Sequence, residues 1–130
     1  MIKESITILY VADQNRSKEF YKKVLEIDPF LDVPGMTEFK ITETHKLGLM
    51  PEKGIVKILK DTVPNPEEGN GIPRCEVYLY VDEPEVYFER ALQAGSKLIS
   101  HIELRDWDDY VGYVADPDGH VIAFANKNSN

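Results

Sequence analysis

The sequence holds a single cysteine, Cys75, in 130 residues. One thiol makes no intrachain disulfide, which suits a reducing compartment. Basic side chains are also scarce: 15 Lys and Arg stand against 23 Asp and Glu, a formal charge of −8. A field of that sign repels phosphate backbones and anionic bilayers, so neither nucleic acid nor membrane is an expected partner. No apolar run approaches the roughly 18 residues needed to span a bilayer. The first residues, Met1-Ile2-Lys3-Glu4-Ser5, do not lead from a cationic start into an apolar core. A cytoplasmic location is therefore expected. Also missing are a Gly-rich phosphate loop, a Gly-x-Ser-x-Gly elbow and a His-Glu-x-x-His pair, the signatures of three common catalytic classes.

What is present suffices for one globular core, with 42% hydrophobic and 29% charged residues. Residues 5–12 are β-branched and aromatic and predict a strand. Asp13 then offers a cap to a helix near 14–27, with Phe20, Tyr21, Val24 and Leu25 at helical spacing and Pro29 beyond its end. Short strands are expected at 30–33, 37–42 and 46–50, and a short helix at 52–61. Residues 62–73 carry three prolines and two glycines and read as a linker. The pattern then restarts. A strand at 75–81 is followed by the candidate cap Asp82 and a helix near 83–94, with Phe88, Ala91 and Leu92 on one stripe and Gly95 as its stop. Strands follow at 97–104, 110–115 and 120–125, the last two joined by the turn Asp116-Pro117-Asp118-Gly119. The chain thus reads as one domain over 1–130, with module one at about 1–61, the linker at 62–73 and module two at about 74–126. Such an internal repeat implies two similar units.

Several of these residues carry a family likeness. Phe20-Tyr21 with Leu25, Val81-Asp82 leading to Ala94-Gly95, Trp107, and the closing Asp-Pro-Asp-Gly-His-Val-Ile-Ala-Phe occur in an order and spacing covering residues 5–126. In these features the chain resembles the vicinal oxygen chelate superfamily of glyoxalases, bleomycin resistance proteins and extradiol dioxygenases. The resemblance implies an α+β fold of two tandem βαβββ modules forming a curved mixed sheet around a small ligand. It also implies pairing into a homodimer. Enzymes of the superfamily bind a divalent metal at four positions, which here correspond to Ile6, Gly48, Glu76 and Ala123. Three of those side chains have no donor atom, and one carboxylate does not hold a catalytic ion unaided. No metal and no other cofactor are therefore expected. His45 and His120 lie three residues from Gly48 and Ala123, and an odd shift along a strand reverses the face.

A cup without metal remains. Alternation puts Glu76, Tyr78 and Tyr80 on one face and Val77, Leu79 and Val81 on the other. The aliphatic set suits packing under a helix; the Glu-Tyr-Tyr set suits a ligand, or alternatively a solvated sheet. By the repeat, Ile6, Ile8 and Tyr10 line the cup from the first module, Gly48 and Ala123 leave room, and Met50 and Val121 add apolar wall. Trp107 is either a rim residue or core. Glu76, with Arg74 and Arg105 as alternative partners, is the candidate ligand anchor or catalytic acid-base. Cys75 alternates onto the aliphatic face and is expected to be buried and inert. The resulting expectation is metal-independent sequestration or sensing of a small aromatic or amphipathic molecule. The other reading is a glyoxalase-like lyase or isomerase, of the lactoylglutathione lyase type, with Glu76 as general base and an atypical metal site.

Overall fold

The computed structural model describes residues 1–129. In order, the elements are β1 (Ser5–Val11), α1 (Gln14–Leu25), β2 (Leu31–Val33), β3 (Met36–Lys40), β4 (His45–Pro51), α2 (Glu52–Leu59), β5 (Glu76–Tyr80), α3 (Pro84–Gln93), β6 (Lys97–Leu104), β7 (Asp109–Ala115) and β8 (Val121–Lys127). A 3-10 turn, Pro66–Gly69, lies between α2 and β5. The strands form two four-stranded sheets of matching order, β1-β4-β3-β2 and β5-β8-β7-β6. In each, the first strand pairs parallel to the last, and every other pairing is antiparallel. The α+β fold of two βαβββ modules is thus the one the repeat predicts. The chain divides into two compact units: Met1–Lys22 with Glu26–Asn70, and Lys23–Leu25 with the chain from Gly71 onward. Among the described residues, no helix is long and apolar enough to cross a membrane.

In the first unit, α1 begins where expected. Asp13 is extended and its carboxylate accepts the Arg16 amide at 3.0 Å, a cap worth about 1 kcal/mol. The helix ends at Glu26, whose left-handed φ of 57° turns its N–H onto the Lys22 carbonyl. Leu9, Val11, Phe39, Leu47 and Leu49 are buried, and strand alternation puts them on one face of the sheet. Tyr21 packs against Phe39 with ring centroids 6.5 Å apart. The Gln14 side chain ties down the β2–β3 hairpin: its amide donates to the Val33 carbonyl and to Thr37 Oγ1, and its oxygen accepts from the Gly35 N–H. This explains how a threonine sits fully buried at Thr37.

In the second unit, Val114, Ile122 and Phe124 are fully buried and share a face with Gly112. Gly112 has a packing reason. A Cβ there would lie 2.6 Å from Ile102 Cγ1 and 2.8 Å from Phe88 Cδ2, so the missing side chain is the space α3 uses. The N-cap of α3 is Glu83, not the expected Asp82. Pro84 takes the first helical position, which moves the boundary one residue on, and Asp82 accepts the Glu83 amide instead. Gly95 adopts φ +97° and directs its N–H to the Leu92 carbonyl, the stop expected of it. In the 116–119 turn, Asp116 Oδ1 accepts the amides of Asp118 and His120, each at 2.9 Å.

Cys75 departs from expectation. It is exposed and lies just outside β5, which starts only at Glu76. Its sulfur is 3.9 Å from His120 Nδ1. Partial desolvation, and then the Asp116 charge, push its pKa up, away from a reactive thiolate.

Candidate functional site

The site is built on the face of the second sheet that α3 does not cover. Register sets Tyr78 beside Ala123 and Tyr80 beside Ala125 on β8, which in turn lie beside Tyr113 and Val111 on β7. The same row continues to Asp109, directly opposite Lys127. Val111, Ala123 and Ala125 are fully buried beneath Tyr78 and Tyr113. The alanines are therefore a floor for the aromatic rings. Ala123 leaves no open room for a ligand, contrary to expectation, because the tyrosines fill it. Val121 is partly buried beside Glu76.

Above this floor four side chains form one hydrogen-bonded network. Tyr78 Oη and Tyr80 Oη both donate to Asp109 Oδ2, at 2.6 and 2.7 Å. Trp107 Nε1 donates to Tyr78 Oη at 2.9 Å. The two tyrosine rings meet edge to face, with centroids 5.3 Å apart and planes at 66°. Asp109 is only 4% exposed, whereas Tyr80 is 57% and Trp107 55% exposed. A buried carboxylate thus lies behind an accessible aromatic wall. Trp107 is exposed and not core.

Electrostatics follow from these contacts. The Tyr78 hydroxyl bond, then that from Tyr80, holds the Asp109 carboxyl below the ordinary 3.8, with Lys127 adding to the effect. Burial, and then the bond to Asp109, push the Tyr78 phenol up to about 12. Tyr80 is raised first by its bond to Asp109, and Tyr113 first by desolvation and next by the charge of Glu76. Asp109 is therefore a permanent anion, and the phenols are permanent hydrogen donors to it, across the neutral range.

Glu76 shares this face but is exposed, which corrects the expectation of a desolvated acid in a pocket. It sits at the first residue of an edge strand, where water reaches it. It is also not the lone charge on the face, since Asp109 and Lys127 belong to the same row. Arg105 is engaged elsewhere. Its guanidinium donates to the carbonyls of Val111 and His101 and to Ser100 Oγ, pairs with Glu103 at 2.8 Å, and lies 5.1 Å from the Tyr113 ring centroid. Asp109, Tyr113 and Lys127 were not among the expected site residues. Extending the alternation Val111–Tyr113 back by one step reaches Asp109, the signal that finds it.

The first unit places Ile6, Ile8, Tyr10, Gly48 and Met50 together on one face of its own sheet. Ile6 and Ile8 are 42% and 40% exposed; Tyr10 and Met50 are partly buried. Gly48 leaves no gap. A Cβ there would be 3.1 Å from Ile8 Cγ1 and 3.4 Å from both Ile6 Cγ2 and Met36 Sδ, so neighbouring side chains already occupy the space. On the same face Lys46 approaches Glu38 at 3.9 Å and stands 4.4 Å from the Phe30 ring centroid. His45 hydrogen-bonds Ser5 Oγ and Thr7 Oγ1 through its two ring nitrogens, which gives it a structural task in the parallel β1–β4 pairing.

The superfamily's metal does not fit these residues. Ile6, Gly48 and Ala123 offer only carbon, Gly48 is closed over by Ile6 itself, and Glu76 alone supplies an oxygen. Asp116, Asp118 and His120 have ligand-capable atoms within 4.8 Å of one another. They are the closing turn, where the Asp116 carboxylate is already bonded to the amides of the other two.

Comparison with known proteins agrees with this architecture. The profile of the glyoxalase-like domain family matches residues 5–127. An uncharacterised protein of Mycobacterium bovis is 30% identical over 120 residues, covering 86% of this chain and 75% of its own. A glyoxalase-related enzyme from Fulvimarina pelagi superposes with a TM-score of 0.80 at 20% identity, over 95% of this chain and 86% of that one. A glyoxalase/bleomycin resistance protein/dioxygenase from Nocardioides gives 0.74 at 21% identity, over 97% and 83%. At such identities the structural likeness concerns the fold. With the doubled βαβββ pattern and the profile match over nearly its whole length, the chain belongs to the glyoxalase-like domain family of the vicinal oxygen chelate superfamily.

Proposed function

We propose that the protein binds a small aromatic or amphipathic molecule, without a metal, to sequester or sense it. The observation that carries this reading is the Trp107–Tyr78–Asp109–Tyr80 network: a buried anion behind exposed aromatic surface. Aromatic walls with a few aimed polar groups are how small-molecule sites are built. A glyoxalase-like lyase or isomerase with Glu76 as base gains no support from the donor set, which offers no electrophile to polarise a substrate.

Trp107 is the chain's single tryptophan, so its fluorescence reports the site directly. Titration with phenethylamine is expected to give a saturable change that is the same in EDTA as in added zinc or nickel. No saturable change, or one that requires the divalent ion, overturns the reading. In the same titration Glu76→Gln is expected to weaken binding roughly two- to five-fold, the scale of a solvent-screened charge, with an unchanged melting temperature. Unaltered affinity would remove Glu76 from the site.

We further propose a homodimer. The edge strand β6 exposes Leu98, Ile99 and Leu104, and a partner chain that covers such an edge protects it from indiscriminate pairing. Light scattering is expected to return twice the chain mass at micromolar concentration; a monomer mass refutes this.

A further inference from the structure

The site described above already contains a cation of its own. Lys127 is the register partner of Asp109, and its Nζ stands 5.2 Å from the centroid of the Tyr80 ring. An ammonium over a tyrosine face beside a carboxylate is the arrangement that recognises organic cations in general. The donor count points the same way. The Trp107 N–H is given to Tyr78, and the Tyr78 and Tyr80 hydroxyl hydrogens are given to Asp109. What the network leaves for a ligand is π surface, oxygen lone pairs and negative charge. Lys127 itself is exposed, on a flexible stem at the end of β8, so swinging it into water costs little.

We infer that Lys127 is a built-in competitor: its ammonium holds the place of a ligand's cationic group over Tyr80, and the molecules this site takes are organic cations that displace it. The inference rests on the binding reading proposed above and deepens it to a ligand class. The opposite assignment, an anionic ligand with Lys127 as its partner, uses the same residue and predicts the opposite mutant.

Three probes with one phenylmethyl body separate these cases: benzyltrimethylammonium, benzyl alcohol and phenylacetate, each titrated by Trp107 fluorescence against the wild type and Lys127→Met. The expected result is that the cation binds best, and that Lys127→Met binds it roughly two- to five-fold more tightly, the scale of an exposed cation–π contact. Raising the salt concentration should weaken the cation alone. The inference is overturned, with the binding reading intact, if benzyl alcohol or phenylacetate binds the wild type as well as the cation does. It is equally overturned if Lys127→Met binds the cation no better. If none of the three perturbs Trp107 in either protein while the phenethylamine titration saturates, the inference also fails alone. If that titration is silent too, the binding reading falls with it.

Discussion

Replacing Asp109 by asparagine is expected to weaken phenethylamine binding roughly ten- to hundred-fold, the scale of a charged hydrogen bond lost from a buried position. Asparagine keeps the shape and still accepts the two phenol hydrogens, so the fold should persist while the charge disappears. The titration of the phenols supplies an independent readout. Asp109 raises Tyr78, Tyr80 and Tyr113 through its charge, and the first two also through its hydrogen bonds. In the wild type, absorbance at alkaline pH should show a late phase from Tyr78 at about 12; in Asp109→Asn that late phase should move toward the ordinary value. The linkage signs are opposite for the two kinds of group. Tyr78 is raised, so its contribution to stability is complete below the ordinary 10.0 and disappears as pH rises through about 12. Asp109 is lowered, so its contribution is present above 3.8 and disappears as pH falls through its depressed folded value. The asparagine variant should therefore lose less stability on acidification. A variant that binds as the wild type does, with an unmoved phenol titration, would falsify the role given to this carboxylate.

The largest effect on stability is expected at Phe124. It is fully buried in β8, faces Leu79 and Gly112 across the pairing register, and has its ring centroid 5.9 Å from that of Tyr87. Truncation to alanine removes its transfer energy and leaves a cavity that close-packed neighbours do not refill, together about 3–5 kcal/mol. Denaturant unfolding should show this as a large drop in midpoint. Ile122→Val, one methylene smaller at an equally buried position on the same face, should cost only about 0.5–1.5 kcal/mol. Equal midpoints for the two variants would mean that the second sheet's core does not sit where Phe124 lies.

Much of the fold was legible in the sequence, because periodicity and punctuation are local properties. The apolar stripe of α1, the cap at Asp13 and the stop at Gly95 depend on residues within a turn of one another, and the structure has them within one or two residues of expectation. The doubled strand order follows from repeating that local grammar twice. The site was less legible. Alternation identifies Tyr78, Tyr80 and Glu76 as sharing a face, but it does not reveal which acid is buried. That depends on Asp109 arriving from a strand 29 residues away from Tyr80, as the first residue of β7. A strand predicted to begin at 110 misses it by one position. Lys127 lies beyond the predicted end of the last strand for a similar reason, since terminal residues carry the weakest periodic signal. The space expected over Gly48 and Ala123 failed on packing. A small residue opens a cavity only if its neighbours do not lean in, and Ile6, Ile8, Tyr78 and Tyr113 do.

The parallel pairing of β5 with β8 has a kinetic side. Glu76 is paired with Val121, while β8 reaches β7 through a short turn. The hairpins of the second sheet close over a few residues, but β5 docks only after a loop of some 45 residues has been brought round, an entropic cost that slows formation of such non-local contacts. Tyr78 and Tyr80 travel on that late strand, and Asp109 waits for them on the early one. The site proposed above to bind a ligand is therefore complete only once β5 has docked. Any molecule held there acts as a latch on the strand's return, so ligand should slow hydrogen exchange along β5 more than along β7.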